Sequence, residues 1–284
     1  MRYQLLAIDI DGTLLDPERR IRPRVREALA AAQALGVRLA LVTGRRPPAA
    51  RRVAEELGLG LLPLVLHNGA LIFDGDALLR CLPLERAVAL RAIRIGRELQ
   101  AGPVVHCGLR GEGRLLFEEG APQSVLVAYY LDRGQRDLRL VPDLEAALGD
   151  DTIQVMFGGE IEPVAALEPV LAHGLEGAAR LERTVYPERG VALLDVLDPR
   201  VGKAGALRFL CGHLGLPLLS TLAIGDNWND REMLLEAGQG LVMGNAAPEL
   251  LHLGLPLLPG NDEDGLAVGI ERYILGSTSG DPQE

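Results

Sequence analysis

Two stretches of this chain share one rhythm, and that rhythm constrains the fold more than anything else in the sequence. Each repeats a short apolar run, a break rich in Gly and Asp, and then a segment with helical spacing. In the first stretch Tyr3 to Ile8 has strand length and ends at an Asp-Gly break. Pro23 to Leu35 has helical spacing, with Pro23 suited to the first turn and Gly36 to the stop. Arg38 to Val42 is a second strand, Pro47 to Leu57 a second helix, and Leu64 to Leu66 a third strand. His67-Asn68-Gly69 then turns into Ala70 to Phe73, a hairpin signal. The last stretch resumes the rhythm. Helices are expected at Val201 to Leu214, Arg231 to Ala237, Ala247 to Leu253 and Gly265 to Leu275, and strands at Ser220 to Ile224 and Gly240 to Met243. Strands alternating with helices imply a parallel sheet with helical crossovers, an α/β fold.

The middle breaks the rhythm. A helix follows Leu84, then strands are expected at Val104 to Cys107 and Arg114 to Phe117, and a helix near Ser124 to Leu131. Thr152 to Phe157, Arg180 to Tyr186 and Val191 to Val196 alternate in strand fashion. This is the pattern of an α+β unit inserted into the α/β core, with the core at 1–83 and 197–284 and the insert at 84–196. With 284 residues, 48% of them hydrophobic, the chain can bury two cores. No apolar run is long enough to span a bilayer. The apolar start is cut by an acidic pair, unlike a signal peptide. Cys81, Cys107 and Cys211 are widely spaced and form neither a disulfide framework nor a zinc ribbon, which fits a reducing cytoplasmic setting. The formal net charge of -10 argues against nucleic-acid and anionic-membrane partners.

Four local features carry chemistry. Asp9-Ile10-Asp11-Gly12-Thr13 places two carboxylates at the carboxyl end of the first strand, where open parallel sheets bind ligands. Close carboxylates repel unless a cation or a shared proton offsets them. The motif therefore reads either as a Mg2+-binding crevice or as a turn with solvated acids. Thr43-Gly44-Arg45 offers a hydroxyl and backbone amides at a helix start, which suits a phosphate or an ordinary N-cap. Gly225-Asp226-Asn227-Trp228-Asn229-Asp230 puts two acids and two amides at another strand-to-helix turn, where Asp226 could complete a metal site or the acids and amides could serve as helix caps. Lys203 is the one lysine among 29 Lys and Arg residues, and it opens a helix, where its charge opposes the dipole. Where arginine has replaced lysine everywhere else, the survivor reads either as a place that needs a compact point charge or as a chance, solvated surface lysine.

In this order the four features resemble the haloacid dehalogenase superfamily of phosphohydrolases, and more narrowly its Cof-type branch (subfamily IIB). His67-Asn68-Gly69-Ala70, Val242-Met243-Gly244-Asn245-Ala246 and Asn261-Asp262-Glu263-Asp264-Gly265 also look like that branch. The resemblance implies a Rossmann-like parallel-sheet core with an inserted α+β cap that sets substrate choice. It implies a cytoplasmic, Mg2+-dependent phosphatase acting on small phosphorylated metabolites, sugar phosphates first, as a monomer or homodimer. Asp9 would be the nucleophile, forming an aspartyl-phosphate, and Asp11 the general acid and base. Mg2+ would be held by Asp9, the Asp11 backbone carbonyl and Asp226. Ile10, Thr43, Gly44 and Asn229 would hold phosphate oxygens, Lys203 would supply fixed positive charge, and Asp230 would orient Lys203 or the metal's waters. Arg45, Arg46 and Asn68 are candidate substrate contacts.

Two rivals remain at this level. Within enzymes it is a dedicated mannosyl-3-phosphoglycerate or sucrose-phosphate phosphatase, or a phosphomannomutase, since these share similar caps. Outside enzymes it is a ligand-binding protein that kept the fold. Trp228 is large for its place between the acids of the fourth motif, and packing is favoured over a position facing the cap. His106, His173, His213 and His252 lack ligand spacing and are expected to be structural, while His67 is a weak substrate-contact candidate. Asp195 receives no catalytic role.

Overall fold

The structure is a computed structural model that describes residues 2–121, 137–186 and 189–276. The expected helix near Ser124 to Leu131 lies outside the described residues. The chain forms two compact units, Met1–Arg45 with Ala49–Leu79 and Gly202–Glu284, and Arg46–Pro48 with Arg80–Val201.

The first unit is built on a seven-stranded sheet. Its strands are β1 (Leu5–Ile8), β2 (Arg38–Val42), β3 (Pro63–Leu66), β4 (Leu71–Asp74), β5 (Ala77–Cys81), β12 (Thr221–Gly225) and β13 (Gln239–Val242). They lie in the order β13-β12-β1-β2-β3-β4-β5. The five strands from β13 to β3 run parallel, and β4 returns antiparallel beside β3. Every residue of β1 and β12 is buried, as expected for strands covered on both faces. On one face Leu5, Ala7, Ala40, Val42 and Ala223 pack with Leu207 and Leu210 from α6 (Lys203–Leu214) and with Met233 from α7 (Arg231–Glu236). Helices α1 (Pro23–Ala34) and α2 (Pro47–Leu57) connect β1 to β2 and β2 to β3. Chain order reverses across the β1–β12 pair, so the carboxyl ends of these two neighbours open a crevice at the topological switch point.

The second unit is a six-stranded sheet in the order β10-β11-β9-β6-β7-β8. Its strands are β6 (Val104–Cys107), β7 (Arg114–Glu118), β8 (Leu138–Val141), β9 (Thr152–Glu160), β10 (Arg180–Tyr186) and β11 (Val191–Leu197). All its pairs are antiparallel except β7 with β8. Helices α3 (Arg86–Glu98) and α5 (Ile161–Leu175) cover one face, where Ala89, Ile93, Leu167 and Leu171 meet Val105, Val155, Phe157 and Leu194. A one-turn helix, α4 (Leu144–Ala147), closes the end of that core.

Some elements are shorter than their patterns suggest. The expected Ala247 to Leu253 helix is the single turn α8 (Pro248–Leu251). The C-terminal helix α9 (Gly265–Ile270) passes into a π turn over Glu271–Leu275. The helix expected from Val201 begins at Lys203, because Gly202 stays extended at its N-cap.

Candidate active site

Each candidate group in the first unit sits just beyond a buried strand. Asp9 follows β1, Thr43 follows β2, His67–Gly69 follows β3 and Asp226 follows β12. Because these strands are parallel, all four loops leave the same edge of the sheet. Lys203 reaches it from the first position of α6. Gly12 lets two of the loops meet. It holds φ +83°, and a Cβ there would lie 2.1 Å from Asp226 Oδ2. Gly225 is held as tightly, since a Cβ on it would lie 2.5 Å from the Asp230 carboxyl carbon.

The centre is a buried charge network. Lys203 Nζ donates to Asp9 Oδ1 at 2.7 Å and to Asp230 Oδ1 at 2.6 Å. Lys203 is 2% exposed, Asp9 5% and Asp230 0%, so water screens these contacts little. Asp230 Oδ2 accepts the backbone N–H groups of Asp226 and Asn227, each at 3.1 Å. Both Asp230 oxygens are therefore engaged, and the residue fixes Lys203 and the Asp226 turn together. Asp226 Oδ1 accepts from Thr13 Oγ1 at 2.9 Å. One oxygen from each of Asp9, Asp226 and Asp230 lies within 4.8 Å of the others. Three carboxyl groups face one ammonium, so with all three ionised two negative charges would be uncompensated. Burial, above all, raises Asp9 from 3.8 to about 7, with the carboxylates of Asp230 and Asp11 adding to the rise and Lys203 opposing it. Asp226 is likewise pushed well above the usual carboxylate range by burial and by Asp9 and Asp230. For Lys203, burial acts to lower the pKa, but Asp230 and Asp9 outweigh it and hold the ammonium charged. The three carboxylates stand close enough together that the group could hold an oxygen-loving divalent cation.

Asp11 lies at the rim. Arg45 grips it with Nε on Oδ2 at 2.7 Å and Nη2 on Oδ1 at 2.6 Å. Burial would raise the Asp11 carboxyl, but the hydrogen bonds and charge of Arg45 overcome it and hold Asp11 below its usual value. The candidate substrate contact Arg45 thus holds the candidate acid in this structure. Thr43 is 1% exposed, and its Oγ1 accepts the Arg45 N–H at 3.1 Å. Asn229 Nδ2 donates to Asn68 Oδ1 at 3.0 Å. Asn68 adopts φ 56° and lies against Gly44, where a Cβ would approach Asn68 Oδ1 to 3.1 Å. Asn68 and Asn229 therefore tie the Thr43–Gly44 loop to the fourth-motif loop. Ile10 is fully buried between the two acids.

Some residues behave differently from the sequence expectation. Trp228 does not pack inside. It is 44% exposed, and the Arg231 guanidinium lies 5.4 Å from its ring centre. Its one-turn helix, Trp228–Asp230, directs Asp230 inward and turns the indole outward. His67 is 1% exposed and belongs to the turn after β3. Sequence reasoning gave Thr13 no role, and its Asp226 contact spans the whole inserted segment, so local spacing could not reveal it.

A family description for haloacid dehalogenase-like hydrolases matches residues 6–270. An HMP-PP phosphatase of Serratia proteamaculans (strain 568) is 33% identical over 263 residues, covering 90% of this chain and 89% of that protein. A haloacid dehalogenase-like hydrolase from Bacteroides thetaiotaomicron superposes with TM-score 0.79 at 26% identity, covering 95% of this chain and 99% of that one. A subclass IIB sugar phosphatase of the same superfamily, BT4131, shares the fold with TM-score 0.79 at 23% identity, covering 95% and 98% of the two chains. The chain belongs to the haloacid dehalogenase-like hydrolases and is a phosphatase with the subclass IIB fold.

Proposed function

We propose that the protein is a Mg2+-dependent phosphatase of small phosphorylated metabolites, sugar phosphates first, working through an aspartyl-phosphate on Asp9. The observation that carries this is the cluster of buried carboxylates around Asp9: among the described residues, Asp9, Asp226 and Asp230 lie together, and Lys203 bonds to two of the three. Asp9 and Asp226 would hold Mg2+, with the Asp11 carbonyl as a further ligand. When bound, the ion offsets the negative charge that would otherwise keep a carboxylate from a phosphate.

The chain's own groups then divide the work. An Asp9 oxygen attacks phosphorus, and the bond from phosphorus to the leaving oxygen breaks. Asp11 gives its proton to that oxygen, then takes a proton from a water whose oxygen attacks the phosphoryl-aspartate and frees Asp9. The Arg45 fork holds Asp11 ionised, the form the second step needs, so Arg45 has to release Asp11 for it to carry a proton in the first. Thr43, the Gly44 and Ile10 amides and Asn229 would bind the phosphoryl oxygens. Lys203 stays charged and supplies fixed positive potential. Asp230 orients Lys203.

The second unit would act as the cap that selects the leaving group. The relatives' names cite HMP-PP and a sugar, and removal of phosphate is what they share. The cysteines at 81, 107 and 211 are all unpaired, which favours a cytoplasmic enzyme. Asp9→Asn tests the reading with an aryl phosphate and Mg2+. The rate should fall by roughly 10⁴-fold or more, as for loss of a covalent nucleophile. Equal rates in wild type and variant would sink it. Phosphate release without isomerisation of a sugar phosphate excludes the mutase.

A further inference from the structure

Two motifs from the sequence have no part in the chemistry above, Val242–Ala246, which leads from β13 into the Met243–Ala247 loop, and the Asn261–Gly265 segment before α9. Their hydrogen bonds converge on the loops that carry Asp9 and Asp226. Met243 N–H donates to Gly225 O at 3.1 Å, and Ala247 N–H donates to Asp226 O at 2.8 Å. Between them, Asn245 Nδ2 donates to Gly12 O at 2.8 Å. One five-residue loop therefore grips the backbone on both sides of the crevice. Asn261 completes the brace. Its N–H donates to Asn245 Oδ1 at 2.9 Å, which aims the Asn245 amide, and its Nδ2 donates to Leu15 O at 2.7 Å. The loop can lie this close because Gly244 has no side chain. A Cβ there would sit 2.8 Å from Leu258 O.

The place of these bonds matters. Gly12 is where the Asp9 loop presses on Asp226, as its 2.1 Å Cβ approach shows. Asn245 and Asn261 hold Gly12 and Leu15, the near and far parts of that same turn. A free Gly12 carbonyl could rotate, and the Asp9–Asp226 separation would change with it. The two asparagines add little burial. Asn245 is exposed and Asn261 half-buried, so water can take over the carbonyls if either amide is lost.

We infer that Asn245 and Asn261 form a two-residue clamp that sets the spacing of the Asp9 and Asp226 carboxylates, and so positions the cation site without touching cation or substrate. This rests on the reading that Asp9 and Asp226 hold Mg2+. The clamp is a positioning device, so its loss shows first in metal affinity and turnover.

The test titrates MgCl2 alone into wild type, Asn245→Ala, Asn261→Ala and the double variant, following thermal stability, and separately measures kcat and KM on an aryl phosphate. Each single variant should raise the Mg2+ midpoint about tenfold, the scale for losing a group that orients a metal ligand. kcat at subsaturating Mg2+ should fall by a similar factor, with KM nearly unchanged. The double variant should be little worse than the worse single one, because both residues hold one turn. Melting temperatures without metal should stay within about 4 °C of wild type. An Asn245→Ala protein with unchanged Mg2+ midpoint and kcat would overturn the clamp. So would a large loss of metal-free stability with an unchanged midpoint. If Asn261→Ala does not fold, the exposed Asn245 variant decides alone. A wild type that ignores Mg2+ refutes the metal site itself, whereas a responsive wild type matched by its variants refutes only the clamp.

Discussion

The two units bury polar groups in opposite ways. In the first, Asp9, Thr43, Asp226 and Asp230 lie in loops past strand ends, and Lys203 opens a helix. In the second, His106, Gln154, Glu182 and Asp195 lie within strands and are each at most 5% exposed. Register pairs His106 with Gln154 and Glu182 with Asp195, and Gln154 Nε2 donates to Asp195 Oδ1 at 3.0 Å. Strand alternation puts this set on the face away from α3 and α5. Loops at the edge of a parallel sheet can aim charge at a small ligand, whereas side chains in mid-strand are fixed by the pleat and their neighbours. The first arrangement suits chemistry. The second suits a fixed framework.

The largest expected effect probes the loop network. Lys203→Arg should lower kcat roughly a thousandfold while the protein still folds, since a planar fork cannot place one charge between Asp9 and Asp230. Steady-state kinetics on a folded variant decides this, and near-full activity would mean the single lysine has no special place.

Arg45→Gln comes next. Without the fork, burial is left to raise the Asp11 carboxyl, so the pH–rate profile should move to higher pH, with kcat at neutral pH falling about tenfold. A profile that keeps its position would remove Arg45 from control of Asp11.

Charge balance makes a third prediction. Asp9 is raised from 3.8 to about 7, so the folded state binds its proton more tightly than the unfolded chain does. Its contribution to stability is complete below about pH 4 and is lost as pH rises through about 7. A cation competes with that proton. Mg2+ should therefore stabilise the protein by about 2.7 kcal/mol at pH 8, at a hundredfold excess over its dissociation constant there, and by less at pH 5.5 at the same Mg2+ concentration. Thermal melts at both pH values check the sign, and a larger gain at the lower pH would reverse it.

The smallest effect on rate is expected in the second unit. Gln154→Met should leave kcat on an aryl phosphate within about twofold, while loss of the hydrogen bond from Gln154 Nε2 to Asp195 costs about 1 kcal/mol of stability. A large fall in kcat with stability intact would break the division of labour between the units.

The same contrast explains what could be read from sequence. The parallel core was legible because its strands are uninterrupted apolar runs closed by Gly and Asp, as at Ile8 to Gly12 and Ile224 to Asp226. Most of the charged site followed, because each group stands next to such a break. The contacts that join the groups were not legible. Thr13 meets Asp226, Arg45 turns onto Asp11, and Asn245 reaches Gly12 only after the sheet brings distant segments together. Trp228 misled because it stands between two acids that turn inward, Asp226 and Asp230, while a one-turn helix carries the indole outward. In the second unit, α5 has Pro169 in its interior, which weakens the helical signal. Its buried polar set gave no motif, since mid-strand residues look like any other alternating pattern.

The most direct test of the account is rapid acid quench of the Mg2+-loaded enzyme with a radiolabelled phosphate ester, followed by peptide mapping. The account predicts transient label on the peptide containing Asp9, released by hydroxylamine as an acyl phosphate is and absent from Asp9→Asn. Turnover with no labelled protein at any quench time, or label on another residue, would contradict it.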